Sequence, residues 1–291
     1  MTILSVEHRT TYRYARPVQF GEHRMMFRPR DSHDLRMLET TLKITPVPAI
    51  RWLHDVFGNS IGIASFAEPA AELVFDSRFR VEHFPAAPGE VMIEDYAREL
   101  PFNYSTEEIA DLGRTAERHY PDPQHQVDQW AKRFLARAGG NETLRVLIAM
   151  TQAIKPQFKY VRREEMGVQT PLETLGKSSG SCRDFALLLM EAARSLGLAA
   201  RFVSGYLYDE KLIGAGGGVV GGGTTHAWAQ VYLPGAGWVE FDPTNAVIGG
   251  RNLIRVAVAR DASQAVPLSG SYTGGPQDYL GMTVDVKVTV A

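Results

Sequence analysis

Apolar and polar positions alternate through the first ninety or so residues of the chain. Thr10, Tyr12 and Tyr14 alternate with polar neighbours, as do Leu42 and Ile44 and then Leu73, Phe75 and Phe79. A period of two is the mark of half-buried strands. Gly58-Asn59, between Trp52–Phe57 and Ile61–Phe66, gives a tight hairpin signal. No sustained helical period interrupts this region, so residues 1–88 are expected to form an antiparallel β-domain, a sandwich or something close to one.

Phe84-Pro85-Ala86-Ala87-Pro88-Gly89 reads as a linker, and the period changes beyond it. Asp122-Pro123 suits the start of a helix whose apolar face is Val127, Trp130, Ala131, Phe134 and Leu135, closed by Gly139-Gly140. Asn141 is placed to cap a second helix, with Leu144, Leu147, Ile148 and Thr151 on one side. A third begins near Ser181, runs to Ser195 and stops at Gly197. Strands follow at about 199–208, 225–233 and 238–243, and the tail at 251–260 and 280–290 also reads as extended. Helices followed by strands predict an α+β domain over residues 89–291, here taken to include the C-terminal strands.

Composition narrows the function classes. The 291 residues are 44% hydrophobic and 22% charged, enough apolar material for a substantial core. A net charge of −2 with no Lys/Arg block argues against a nucleic-acid or anionic-membrane partner. The first residues, Met1-Thr2-Ile3-Leu4-Ser5, lack the basic-then-apolar order of a signal peptide. No run approaches the ~18 apolar residues of a membrane span. Cys182 is the single cysteine, which excludes an intrachain disulfide and fits a reducing compartment, so a cytoplasmic location is expected.

A lone buried cysteine is most often packing, so its surroundings decide. Gly180-Ser181-Cys182-Arg183-Asp184 puts the thiol in the first turn of the third helix, with the S-x-x-D spacing of a capping box. A helix N-terminus favours the thiolate, but by no more than ~2 kcal/mol, so a nearby imidazolium is needed as well. His226 opens an alternating strand, 226–233, in which His226, Trp228, Gln230 and Tyr232 face one way. Pro234-Gly235-Ala236-Gly237 turns the chain into a second strand where Trp238, Glu240 and Asp242 share a face. His226 and Asp242 can meet only if even positions pair with even, which demands an odd-length loop. With Tyr232 opposite Trp238, His226 lies diagonal to Asp242 and within side-chain reach, where the carboxylate can orient the imidazole. A four-residue loop would put them on opposite faces.

These residues resemble the bacterial transglutaminase-like proteins, within the papain-like cysteine enzymes. The likeness rests on Gly180-Ser181-Cys182-Arg183-Asp184, on 195–206, on His226-Ala227-Trp228 and on 237–244. The Tyr12/Tyr14 strand, Phe27-Arg28-Pro29-Arg30 and Asp55-Val56-Phe57-Gly58-Asn59 resemble the β-domain that precedes this core in bacterial members. The resemblance implies a Cys182–His226–Asp242 triad and suggests Tyr160 as a candidate oxyanion donor beside the Cys182 amide. A partly buried structural tyrosine is the plainer reading of Tyr160. Gly-Ser-Cys-Arg stands where animal transglutaminases have Gly-Gln-Cys-Trp, and no acidic calcium loop is present, so calcium-activated cross-linking is not implied.

No C-x-x-C or H-x-x-x-H spacing supports a metal site, and no cofactor is implied. The glycine-rich stretch 214–223 lacks the G-K-[ST] ending of a phosphate loop and reads as a mobile loop before the His226 strand. His54-Asp55 sits at a hairpin edge, and Trp228 and Trp238 are core packing before they are an acyl groove. The expected activity is acyl transfer from an amide or peptide through a thioester, to water or to an amine, with a protein or peptide as substrate. The alternative is a catalytically idle protein that binds a peptide or partner in the same groove.

Overall fold

Nineteen residues of alternating burial, Thr2–Phe20, form β1 of the computed structural model, which describes residues 2–84, 91–137, 140–162, 167–208 and 223–290. The linker at 84–89 and the glycine-rich stretch at 214–223 therefore fall largely outside the described residues. Five more strands follow β1: β2 (His23–Met25), β3 (Leu35–Thr45), β4 (Ala49–His54), β5 (Ser60–Ser65) and β6 (Ala70–His83). β4 and β5 close as a hairpin with His54 opposite Ser60. In its turn the Asp55 carboxylate accepts from the amides of Phe57 and Asn59 and from the Asn59 side chain, so His54-Asp55 is turn structure.

The middle of the chain is helical: α1 (Thr106–Leu112), α2 (Gln126–Arg137), α3 (Thr143–Gln157), β7 (Lys159–Tyr160), α4 (Pro171–Lys177), β8 (Ser179–Gly180) and α5 (Cys182–Ser195). Two helix starts differ from expectation. α2 begins at Gln126, after His125 at φ 54°, and Asp122 reaches it only through its carboxylate, which accepts from the Gln126 and Val127 amides at 2.8 and 2.9 Å. α3 is preceded by Glu142, not capped by Asn141. α1 and α4 are seven-residue helices too short for a hydrophobic period to reveal.

β9 (Ala200–Leu207), β10 (His226–Leu233), β11 (Gly237–Asp242), β12 (Val247–Ile248) and β13 (Leu253–Ala259) form the core sheet in the order β12-β11-β10-β9-β13. All of α5 except Arg183 and Ser195 is buried. Phe185, Leu188 and Leu189 from the helix join Ala227, Ala229, Val231 and Phe241 from one sheet face in the main core. On the other face Val203, Trp228 and Val258 pack with Phe57 of the β4–β5 turn.

The C-terminal strands β14 (Leu268–Ser269), β15 (Tyr272–Thr273) and β16 (Tyr279–Val290) do not extend this sheet. β16 runs antiparallel along β1 from Leu4↔Val290 to Tyr14↔Tyr279, and β14 pairs with β2. The expectation that they extend the C-terminal domain is thus corrected: β1 needs hydrogen-bond partners on both edges, and β6 satisfies only one. Two antiparallel sheets, β15-β1-β6-β3 with β16, and β14-β2-β5-β4, enclose Tyr14, Phe20, Met25, Phe27, Leu73 and Phe75. A further apolar cluster, in which Leu4, Phe79 and Val81 meet Tyr206 and Ile254, joins this sandwich to the core sheet.

Candidate active site

Cys182 is the first residue of α5, and the turn that delivers it is over-determined. The Asp184 carboxylate accepts from the Ser181 amide and hydroxyl at 2.8 and 2.9 Å, and from the Gln169 amide and side chain at 2.6 and 3.3 Å. These contacts fix the helix start, where the first amides have no intrahelical acceptor. β7 and β8 pair in parallel with Tyr160 opposite Gly180, and the Val161 amide donates to the Gly180 carbonyl at 2.9 Å. That pairing brings the Tyr160 hydroxyl beside the Cys182 sulfur, with its ring against Phe185 at 6.4 Å. Burial, and then the adjacent Cys182, push the Tyr160 phenol up to about 12, so it is a protonated donor at neutral pH.

The hairpin that carries the other two residues has Leu233 opposite Gly237, Tyr232 opposite Trp238 and Gln230 opposite Glu240. Its turn is the three residues Pro234 to Ala236, an odd number, and even positions pair with even. His226 and Asp242 lie at the end remote from the turn, and His226 Nε2 is 2.8 Å from Asp242 Oδ2. Asp242 also accepts from the Thr244 amide at 2.9 Å and the Asn245 side chain at 2.8 Å. Burial alone raises a carboxyl, but His226 and these donors hold Asp242 below its ordinary value. As an ionised carboxylate it can only accept, so Nε2 carries the proton.

For His226, burial opposes the charged ring, and Asp242, followed by Cys182, outweighs it, so the imidazole is pushed up to about 10. Its Nδ1 is buried and makes no hydrogen bond of regular geometry, while the Cys182 sulfur is close enough to act on the ring. Cys182 keeps 7% of its surface, His226 1% and Asp242 none, so the thiol is the least enclosed member of the group.

Residues outside the expected set hold the imidazole. Trp228 stacks on His226 at 5.9 Å with planes 27° apart, and its indole N–H donates to the buried Glu240 carboxylate. Glu240 also accepts from Gln230 at 2.6 Å and from Arg255 at 2.7 Å, and Arg255 reaches Asp34 of the β-domain at 3.1 Å. Gly205, opposite His226, is required for this packing, because a Cβ there would lie 2.7 Å from the Trp228 ring and 2.1 Å from the Ile254 carbonyl. Trp228 is fully buried, whereas Trp238 sits under Arg201 at 4.1 Å. Asn245 stands three residues after Asp242 in an Asx-type turn, a spacing visible in the sequence. Gln169 and Asp34 are brought in only by tertiary packing.

Among the described residues, no helix is long and apolar enough to cross a membrane, and no group of three or more His, Cys, Asp or Glu is arranged to hold a metal. Residues 4–82 match the bacterial transglutaminase-like N-terminal region, and residues 128–243 match the transglutaminase-like superfamily. An uncharacterized protein of Mycobacterium tuberculosis is 32% identical over 297 residues, covering 97% of this chain and 91% of that protein. One from Mycobacterium leprae is 27% identical over 286 residues, covering 97% and 98%. In three dimensions the whole chain superposes on 91% of a Cytophaga hutchinsonii protein named "Putative Cysteine Protease", with a TM-score of 0.72 at 19% identity, a likeness of fold.

Proposed function

Because the chain belongs to the transglutaminase-like superfamily, with the bacterial transglutaminase-like N-terminal region ahead of its core, we propose that it is a cysteine-dependent acyl-transfer enzyme acting through Cys182, His226 and Asp242. The observation that carries this reading is the buried His226–Asp242 pair, whose second ring nitrogen is left to the thiol at the start of α5.

The chemistry follows from the proton positions. A proton passes from Cys182 Sγ to His226 Nδ1, and the thiolate attacks the carbonyl carbon of an amide or peptide bond. The Cys182 amide and the Tyr160 hydroxyl donate to the oxygen as negative charge develops on it. Nδ1 returns its proton to the nitrogen of the leaving amine, the C–N bond breaks and a thioester remains. His226 then takes a proton from water or from an acceptor amine, which attacks the thioester and regenerates the thiol. Asp242 stays ionised throughout and fixes the ring's tautomer and angle through Nε2. Water as acceptor makes the protein a peptidase or amidase; an amine makes it a transglutaminase.

The test is turnover of a mixture of glutamine-containing and other peptide amides, read by mass spectrometry with and without hydroxylamine as the competing nucleophile. Free acids alone, hydroxamates in addition, and the loss of both in Cys182→Ala are the expected results. A reactive thiol with no turnover of any peptide, but saturable peptide binding, would favour an idle binding protein instead.

A further inference from the structure

Behind the core sheet, where it faces the β-domain, lies a cavity of about 190 Å³ lined by Arg30, Asp31, Ser32, Asn59, Arg201 and Arg255 among others. It is separate from the candidate active site. Arg201 opposes Gln230 in the β9–β10 pairing, whereas His226 opposes Gly205 further along the same strands.

Most polar groups in its wall are already engaged. Arg255 is held by Glu240 and Asp34. The Asn59 side chain bonds Asp55 and both the amide and carbonyl of Val258. Ser32 donates to Asp34, and Asp31 accepts from the Met37 amide. Two guanidiniums are not consumed in this way. Arg30 gives one bond, to the Phe57 carbonyl at 3.1 Å. Arg201 gives its Nε to Gln230 at 2.6 Å and holds its guanidinium carbon over the Trp238 ring, but forms no ion pair among the described residues. Burial, with repulsion from Arg255 and Arg30, holds Arg201 down to about 10 against the pull of Glu240. A half-buried arginine that meets two other arginines across a cavity, with Glu240 acting on it but no ion pair formed, carries an unfavourable interaction that a bound anion would relieve.

We propose that this cavity binds an oxyanion, the phosphate or carboxylate group of a small molecule, between Arg201 and Arg30. Two planar guanidinium forks match the paired oxygens of either group. The volume exceeds the ~30 Å³ share of one water several-fold, leaving room for the rest of a small acid. The site spans the β-domain, through Arg30, and the core sheet, through Arg201, so occupancy would tie the two together.

The experiment is calorimetric titration of the full chain with inorganic phosphate and, separately, with succinate. Ionic strength is held constant with chloride, so that screening does not mimic binding. Saturable binding of phosphate alone identifies a phosphoryl ligand, of succinate alone a carboxylate, and of both a general oxyanion site. Arg201→Gln and Arg30→Gln should each weaken it by roughly 10-fold or more, as the loss of a charge-assisted hydrogen bond requires. Cys182→Ser should leave it unchanged. Arg30 is exposed, so Arg30→Gln decides the matter even if Arg201→Gln folds poorly. No binding of either probe up to about 10 mM, a range in which a useful site would measurably shift stability, overturns the proposal. So does binding that both arginine variants retain, and Arg201 is then a structural partner of Trp238 and Gln230 alone.

Discussion

Asp242 and Tyr160 contribute in ways that separate experiments can read. The His226 value is raised from 6.5 to about 10, so the pair adds stability that is complete below about pH 6.5 and is lost as pH rises toward 10. Asp242 is lowered, so its own contribution is present above the ordinary carboxylate range and is lost as pH falls through its folded-state value. Asp242→Asn should therefore be most destabilised relative to the wild type near pH 6, with the gap closing by about pH 10. Urea midpoints across pH check this, and a gap independent of pH would contradict it. Tyr160→Phe removes a proposed oxyanion donor and a hydroxyl beside the thiol. Turnover should fall by roughly 10²-fold and Cys182 alkylation by much less. An equal fall in both would make Tyr160 a structural support for the α5 start. Of the site, the sequence makes legible the capped helix start at Cys182 and the condition, an odd-length turn, under which His226 and Asp242 meet. The three-residue turn meets that condition, and the approach of the thiol to His226 comes from tertiary packing. The approach of Tyr160 to the thiol depends on a two-residue parallel pairing, which leaves no periodicity to read.

At the scale of elements, the β10–β11 hairpin holds the imidazole through a layer of buried charge. Glu240 ties Trp228, Gln230 and Arg255 together, and Trp228 is the surface on which His226 rests. Removing one member of a buried ion pair strands the other. Glu240→Ala should cost about 3 kcal/mol, the low end for such a change, because Arg255 keeps Asp34. Chemical denaturation measures that loss, and a change below about 0.5 kcal/mol, the scale of an ordinary surface substitution, would contradict the network. The sequence puts Glu240 and Asp242 on one face of their strand and Trp228 on the His226 face of the other, which the odd turn brings into register. The partners Arg255, from β13, and Asp34, from the turn before β3, are supplied by tertiary packing. The starts of α2 and α3 differ from the sequence expectation for a local reason: Asp122 and Asn141 are good capping residue types, yet the backbone turns helical only several residues after the first and two after the second.

Over the whole molecule, the chain closes on itself. β16 returns from the end of the core to pair along β1, so the β-domain is built from both ends of the sequence. Both segments alternate apolar and polar residues, a pattern that identifies strands but not their partners. A chain ending at Val266 lacks β14, β15 and β16 and leaves one edge of β1 open. It should lose its cooperative thermal transition or aggregate, as followed by circular dichroism and light scattering. An unchanged transition would make the returning strands peripheral. The molecule also holds a single thiol, so every thiol alkylation reports on the candidate site. Iodoacetamide labelling followed by intact mass across pH, in the wild type and in His226→Ala, is the most direct test of the triad. Rapid labelling of Cys182 in the folded wild type, and its loss in the variant, are the expected results. Labelling that follows an ordinary thiol in both proteins, or that waits for unfolding, would contradict the triad and leave Cys182 as packing.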